Sequence, residues 1–514
     1  MAETVTSTST ARFFDTAHLH ADLKERSIRG GVVTFCGQFA KLLIQIGSTA
    51  MLARLLTPSD FGVVAMVSAV TGFFGSLGDL GLSSATIQRT EVTHEQVSTL
   101  FWINIAVSLF ISVVFACLAP EVAWFYHDPR LTGVALASAA GILFNGLTFQ
   151  HYALLVRQMR FGAMAVVQTL PMLTGAVVGV ALAVAGWSYW ALVVMGIAQA
   201  GTTALTAWIA VRWKPGLPNR NSGVGTMLAF GGHLTGFDVL SYLTRNADNI
   251  LIGRFLGPGP LGIYAKAYGL LMFPVQQINA PVNGVVLPAL SRLQHQPVQY
   301  RRYFLRAVEG LAFIGMPICM FSFVAAQPIV LVLLGPKWSG AVFVFRLLVP
   351  GALIGTINSA PAWIFTSLGR TGRQLFWAML STPTILVGFL IGLKWGTAGV
   401  AASFSISFCF CFALFTWDAC RHSPVDLRDL AAALLVPLCA STLAAFVTYF
   451  SQCLLHISMG AKLASDGLVF VVAYACLCIA FPTGRSFLTL LLIRSGLGTG
   501  IGEISKQVNS GDFR

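Results

Sequence analysis

Charge is what this 514-residue sequence has least of. Its 32 Lys and Arg and 19 Asp and Glu make up 10% of the chain, where a soluble domain carries roughly 25%. A water-soluble fold of this length needs a charged skin over its domains, and the charges to build one are missing. With 56% hydrophobic residues, intrinsic disorder is excluded as well. Metal-binding spacings are also missing. The ten cysteines (36, 117, 319, 409, 411, 420, 439, 453, 476 and 478) form no C-x-x-C and no Cys/His pattern, so they read as small apolar packing residues. No metal and no cofactor is expected. There is no Gly-Lys-Ser/Thr phosphate loop, and His94-Glu95 lacks the second His of a zinc-protease helix. The longest outer gap, Ala325–Gly340, is about 16 residues, too short to seat the acid/base groups of a polymerase or ligase. The sequence therefore points away from an enzyme, and no catalytic residue is assigned. A net charge of +13 suggests nucleic acid at first sight, but the basic residues sit in short gaps between apolar runs and not on one solvated face.

What the chain does have is long apolar runs. Fourteen are long enough to span a bilayer, at 31–52, 61–87, 97–118, 131–152, 163–184, 188–211, 225–252, 261–288, 304–324, 341–367, 374–393, 397–417, 430–450 and 465–482. Backbone groups in hydrocarbon must pair within their own segment, so these runs are expected to be helices; strand barrels would alternate with period two. The expectation is an all-α integral membrane protein with 14 transmembrane helices. The polar stretch 1–30 lacks the apolar core of a signal peptide and reads as a cytoplasmic tail, with a surface helix around Phe13–Leu23.

Fourteen crossings put both tails on one side, and the basic residues choose which. Twenty-two of them fall on the side of the tails, including Arg26, Arg29, Arg157, Arg160, Arg301 and Arg302. Six fall opposite: Arg54, Arg130, Arg254, Lys337, Lys394 and Lys462. This asymmetry places both tails in the cytoplasm.

The sequence also repeats. Shifted by 200 residues, LARLLTPSDFGVVAM (52–66) falls on IGRFLGPGPLGIYAK (252–266), sharing Arg54/Arg254, Leu56/Leu256, Pro58/Pro258, Gly62/Gly262 and Ala65/Ala265. The common pattern R-x-L-x-P-x-x-x-G sits at the outer turn between the first two helices of each copy. An even number of spans separates the copies, so the repeat is parallel. The expected organisation is a tail (1–30), a first six-helix lobe (31–211), a cytoplasmic linker (212–224), a second six-helix lobe (225–417), two further helices (418–482) and a second tail (483–514). The two lobes are expected to surround a central cavity.

Run 1 carries Thr34, Gln38, Lys41, Gln45 and Ser48 on one helical face, and run 7 carries Asp238, Ser241, Arg245, Asp248 and Asn249. Under the 200-residue shift these stripes coincide. Asp79 and Ser83 likewise meet Asn279 and Asn283. An ionised side chain at mid-membrane costs at least about 2.5–3.5 kcal/mol, and such residues normally face an interior cavity. Lys41 has no carboxylate on its stripe. Arg245 and Asp248 form either an ion pair or part of the cavity. Asp79 either binds a cation or caps a helix break. Lys266 reads as snorkelling to the interface, and Arg346 either does the same or joins the cavity. The stripes together predict a cationic cleft that receives an anionic headgroup through Lys41, Gln38, Gln45, Arg245, Ser241, Asn249 and Arg346, with Asp79, Asp238 and Asp248 available for ion coupling.

LARLLTPSDFGVVAMVSAVTGFFGSLGDLGLSSATIQR (52–89) and DNILIGRFLGPGPLGIYAKAYGLLMFPVQQINAPVNGVVLPALSRLQ (248–294) resemble the two lobe signatures of Wzx-type polysaccharide transporters, in the multidrug/oligosaccharidyl-lipid/polysaccharide exporter superfamily. The subgroup most similar serves exopolysaccharides of the colanic-acid, xanthan and succinoglycan kind. The resemblance implies a bacterial inner-membrane flippase that carries an undecaprenyl-pyrophosphate-linked oligosaccharide from the cytoplasmic to the periplasmic leaflet by alternating access. It implies membrane lipids, a polysaccharide polymerase and a chain-length regulator as partners. Lipid II flipping and small-molecule efflux, both found in the same superfamily, are the alternatives.

Overall fold

The computed structural model of this chain describes residues 23–89, 91–219, 222–454, 458–481 and 484–485; for 23–36, 226 and 228–241 it describes the backbone alone. The expected surface helix at Phe13–Leu23 lies almost wholly outside these residues, as does the tail beyond 485. Among the described residues every regular element is helical. We number the helices α1 (Leu23–Leu55), α2 (Pro58–Gly78), α3 (Leu82–Gln88), α4 (His94–Cys117), α5 (Ala119–Tyr126), α6 (Arg130–Arg157), α7 (Phe161–Val184), α8 (Tyr189–Val211), α9 (Gly225–Leu256), α10 (Pro258–Leu293), α11 (Pro297–Val324), α12 (Ala326–Leu333), α13 (Ser339–Gly355), α14 (Ser359–Ser367), α15 (Thr371–Gly392), α16 (Gly396–Arg421), α17 (Leu427–Leu454) and α18 (Met459–Ala480).

All fourteen apolar runs fall on helices. Eleven helical stretches among the described residues are long and apolar enough to cross a membrane, one of them (371–421) comprising both α15 and α16. The chain is a multi-pass membrane protein. α1 and α9 are not among the eleven, and they are the two helices that carry the polar stripes. Two runs depart from expectation. Run 2 breaks at Asp79, where Leu80 (φ 49°) and Gly81 (φ 65°) turn left-handed before α3 begins. Run 10 breaks between α13 and α14 at Thr356–Asn358. The gaps between runs 3 and 4 and between runs 9 and 10 are not bare loop, because α5 and α12 are short helices within them.

The chain packs as two compact units. The first holds the described residues up to Ala265 together with Leu333–Lys337; the second holds Lys266–Val332 and the described residues from Trp338 onward. In the first, α6 packs against α2, α3, α4, α5 and α8, while α1 lies along α7. α9, the first helix of the second sequence repeat, packs against α2, α3 and α5. The segment after α8 is strapped to α4. Trp213 donates to His94 Nδ1 (3.0 Å), Trp102 to the Gly216 carbonyl (2.8 Å), the Gly216 amide to Ser98 Oγ (2.9 Å) and the Asn219 amide to Thr99 Oγ1 (3.0 Å). Pro215, Gly216 and Pro218 suggest a loose linker, but these hydrogen bonds hold the segment along α4.

In the second unit α11 packs on α17, and α16 on α13 and α15. Its apolar core gathers Tyr300, Phe304, Val308, Leu311, Trp363 and Phe365. Arg373 grips Asp418 through two hydrogen bonds (3.0 and 2.6 Å), and Trp377 donates to the same carboxylate (2.8 Å). Arg301 pairs with Asp429 at 2.6 Å.

Between α5 and α6 the Asp128 carboxylate accepts from the Arg130 amide (3.1 Å) and from its guanidinium (2.7 Å). The Arg130 hydrogen bond holds this carboxyl below its ordinary value of 3.8. A depressed folded-state value means that the contribution is present above the unfolded value and disappears as the pH falls through the folded one. Asp128→Asn is therefore expected to lower the stability of the detergent-solubilised protein at pH 7 by about 1 kcal/mol or less, since Arg130 is partly exposed. The difference from wild type should close as the pH drops below 3.8, measured by thermal unfolding across a pH series.

Candidate functional site

α1 lies along α7, which brings the run 1 stripe beside polar groups of that helix. Lys41 is half-buried, and its ammonium donates to the side-chain oxygen of Gln168 on α7; the Gln168 amide in turn donates to the Tyr152 hydroxyl on α6. The ammonium thus has a neutral partner and, among the described residues, no carboxylate within ion-pair distance. Gln38, three residues before it, is exposed, Gln45 is half-buried, and Ser48 is buried, with its hydroxyl on the Gln45 carbonyl (3.3 Å).

The run 7 stripe divides. Arg245 is exposed, while Asp248, one turn on, is 3% exposed. They do not form the ion pair that their spacing permits. The Asp248 carboxylate accepts instead from the Tyr264 hydroxyl (2.7 Å) and from the Asn249 amide (2.8 Å). The side-chain oxygen of Asn249 is buried with no hydrogen-bond partner among the described residues. A buried carboxylate held only by neutral donors is costly to keep ionised. The side chains of Asp238, Ser241 and Thr34 lie outside the described residues. Arg346, in the second unit, is half-buried on α13.

Asp79 has a structural role. Its Oδ1 accepts from the Ser83 amide (3.1 Å) and hydroxyl (2.6 Å), which caps α3 across the break. A buried network then fixes that break. Asn104 on α4 donates to the carbonyls of Gly78 (3.3 Å) and Asp79 (3.1 Å), Gln150 on α6 donates to Asn104 (2.9 Å), and Thr86 donates to Gln150 (2.9 Å). Arg157 donates to the carbonyls of Thr86 and Arg89. Gly78, the last residue of α2, thus lies within this bracket. At Gly72, a Cβ would overlap the Tyr242 ring of α9, whose hydroxyl donates to the Ser68 carbonyl (3.2 Å).

The residues missed by sequence reading are Gln168, Tyr152, Tyr264 and Tyr242. Gln168, in the middle of an apolar run, was the one available signal. The tyrosines look like ordinary interfacial or packing aromatics until the fold brings them to Lys41, Asp248 and Gly72.

The family described as "Polysaccharide biosynthesis protein" matches residues 51–343, more than half of the chain. Among curated proteins, the chain is 24% identical over 394 residues to the lipopolysaccharide biosynthesis protein WzxC of Escherichia coli K12, covering 74% of this chain and 78% of that one. It is 25% identical over 382 residues to the succinoglycan biosynthesis transport protein ExoT of Rhizobium meliloti, covering 73% and 76%. Among solved structures, the lipid II flippase MurJ in an inward closed conformation superposes with a TM-score of 0.71 at 14% identity, covering 88% of this chain and 98% of that one. An inward-facing multidrug MATE transporter superposes with a TM-score of 0.57 at 14% identity, covering 74% and 94%. At these identities the two structures speak for the fold alone. The family match takes in both copies of the repeated outer-turn motif, and the chain accordingly belongs to the polysaccharide biosynthesis protein family, that of the Wzx-type polysaccharide transporters its two signatures resemble.

Proposed function

We propose that this protein is a flippase that moves an undecaprenyl-pyrophosphate-linked oligosaccharide repeat unit from the cytoplasmic to the periplasmic leaflet of a bacterial inner membrane during exopolysaccharide biosynthesis. In this reading the fourteen apolar helices all cross the bilayer with both termini in the cytoplasm, and two six-helix lobes (31–211 and 225–417) work by alternating access. The observation that carries the proposal is Lys41 and Arg245: two cationic side chains at mid-helix with no carboxylate at ion-pair distance among the described residues. Charge in hydrocarbon calls for an opposite charge or for water, and a pyrophosphate supplies the first. Gln38, Gln45, Ser241 and Asn249 lie on the same two stripes and would hydrogen-bond the headgroup, with Arg346 a further basic contact, while the polyprenyl chain stays in lipid.

The driving force has the right sign. With the cell interior negative, an anion moving outward gains about 2.3 kcal/mol per charge per 100 mV. The membrane potential can therefore power export. Of the carboxylates considered for coupling, Asp79 is occupied as a helix cap; Asp248, buried among neutral donors, is the better proton carrier, and Asp238 is the remaining candidate.

The relatives named for lipopolysaccharide and succinoglycan pathways favour an exopolysaccharide precursor over lipid II or a small drug. The fold alone is equally compatible with a lipid II flippase. Restoration of polysaccharide in an exopolysaccharide flippase mutant, without rescue of a lipid II flippase depletion, is the expected outcome of paired complementation tests.

Removing a charge-assisted contact to a phosphate costs about 1.5–3 kcal/mol, so Lys41→Ala and Arg245→Ala should each lower export at least about tenfold at unchanged membrane abundance. This is read from lipid-linked repeat units retained in the inner leaflet; undiminished export in both variants would remove the cationic-site reading. Asp248→Asn fixes that group in its neutral form. It should leave potential-driven export in place and abolish any stimulation by an inwardly directed proton gradient in vesicles.

A further inference from the structure

The two copies of R-x-L-x-P-x-x-x-G are read in sequence as equivalent outer turns. In the structure they meet. α2 begins at Pro58 and α10 at Pro258, and in each the Pro and the Gly are four residues apart, on one helical face. A Cβ on Gly62 would overlap the backbone carbonyl of Pro258 and lie 2.8 Å from its Cα. A Cβ on Gly262 would overlap the backbone carbonyl of Pro58 and lie 3.1 Å from the Gly62 nitrogen. The contact is reciprocal: each repeat's glycine receives the other repeat's proline carbonyl. This is the close backbone approach of small-x-x-x-small helix pairs in membranes, and glycine is required on both sides.

The arginines of the motif extend the same crossing. Arg254, from the second copy, lies 5.7 Å from the ring centroid of Phe125 on α5, in the outer connection of the first repeat. Arg54, from the first copy, lies against the corresponding outer connection of the second repeat. Its backbone carbonyl accepts from Lys337 (3.3 Å), and its Cγ is 3.6 Å from the position of a Cβ on Gly335. The recurring Arg, Pro and Gly are thus all used across the repeat boundary. Turn geometry alone demands none of these pairings. The contacts include close backbone apposition, the Arg254–Phe125 cation–π pair and the Lys337 hydrogen bond, with Tyr126 and Met66 packed beside Gly253. Such a closely apposed, largely apolar seam excludes water when shut.

We infer that the paired motifs form a self-complementary clasp which closes the periplasmic end of the transporter and must part for the headgroup to leave. The inference rests on the transport reading and on the orientation given by the basic residues.

Two arms test it, in a background depleted of native cysteines. In the first, Phe125→Cys with Arg254→Cys is bridged by a bis-maleimide or capped singly with N-ethylmaleimide. Bridging should cut export by at least about tenfold relative to capping; equal export overturns the clasp. In the second, Gly62→Ala and Gly262→Ala are combined with a Gln45→Cys reporter and labelled by a membrane-impermeant maleimide in intact cells and in inside-out vesicles. Both alanines should shift labelling toward the periplasmic side by several-fold, whereas Gly75→Ala, which has open space around it, should not. Labelling unchanged by both clasp alanines overturns the proposal. Should deletion of the protein leave polysaccharide export intact, the transport reading fails while the labelling arm still decides whether the clasp gates access.

Discussion

The proposed transport rests on two cationic side chains, Lys41 and Arg245, with no carboxylate at ion-pair distance among the described residues. Lys41 and Arg245 lie on the corresponding polar stripes of two helices 200 residues apart, with Lys41 opposite Ser241 and Arg245 opposite Gln45. Several carboxylates have a basic partner, Asp418 in Arg373, Asp429 in Arg301 and Asp128 in Arg130, while Lys41 is met by the neutral Gln168. An ionised side chain in the middle of such a helix costs membrane-insertion energy.

The frame around the stripes is stiff where the sequence suggests give. Asn104 bonds the Gly78 and Asp79 carbonyls at the α2–α3 break and is itself tied through Gln150 to Thr86, which brackets this glycine-rich interruption. The Pro- and Gly-containing segment after α8 is likewise pinned along α4. Movement would therefore be taken up where contacts are weak and unburdened by charge, such as the seam of Pro58, Gly62, Pro258 and Gly262.

Much of this was legible in the sequence, for physical reasons. Hydrocarbon forces backbone pairing within a segment, so long apolar runs are expected to be helices, and among the described residues they lie on helices, runs 2 and 10 being broken in two. A 200-residue shift made the stripes and the outer-turn motif visible because duplicated helices keep their register. The break at Leu80–Gly81 was hidden, since hydropathy averages over a window and does not see two left-handed residues. Non-local pairing was hidden as well. Gln168 lies 127 positions from Lys41, and no periodicity connects them. Arg245 and Asp248 share a helical face yet differ in exposure, and Asp248 is the one that accepts from Tyr264.

The central claim is that these cations recognise a phosphorylated lipid headgroup. The most direct measurement is binding of a polyprenyl pyrophosphate and of the matching uncharged polyprenol to the purified protein, as wild type and as a Lys41→Ala/Arg245→Ala double variant, across a salt series. The account predicts a preference for the pyrophosphate that weakens with salt and disappears in the double variant. Equal affinity for the two lipids, or a pyrophosphate preference that survives removal of both cations, would contradict it.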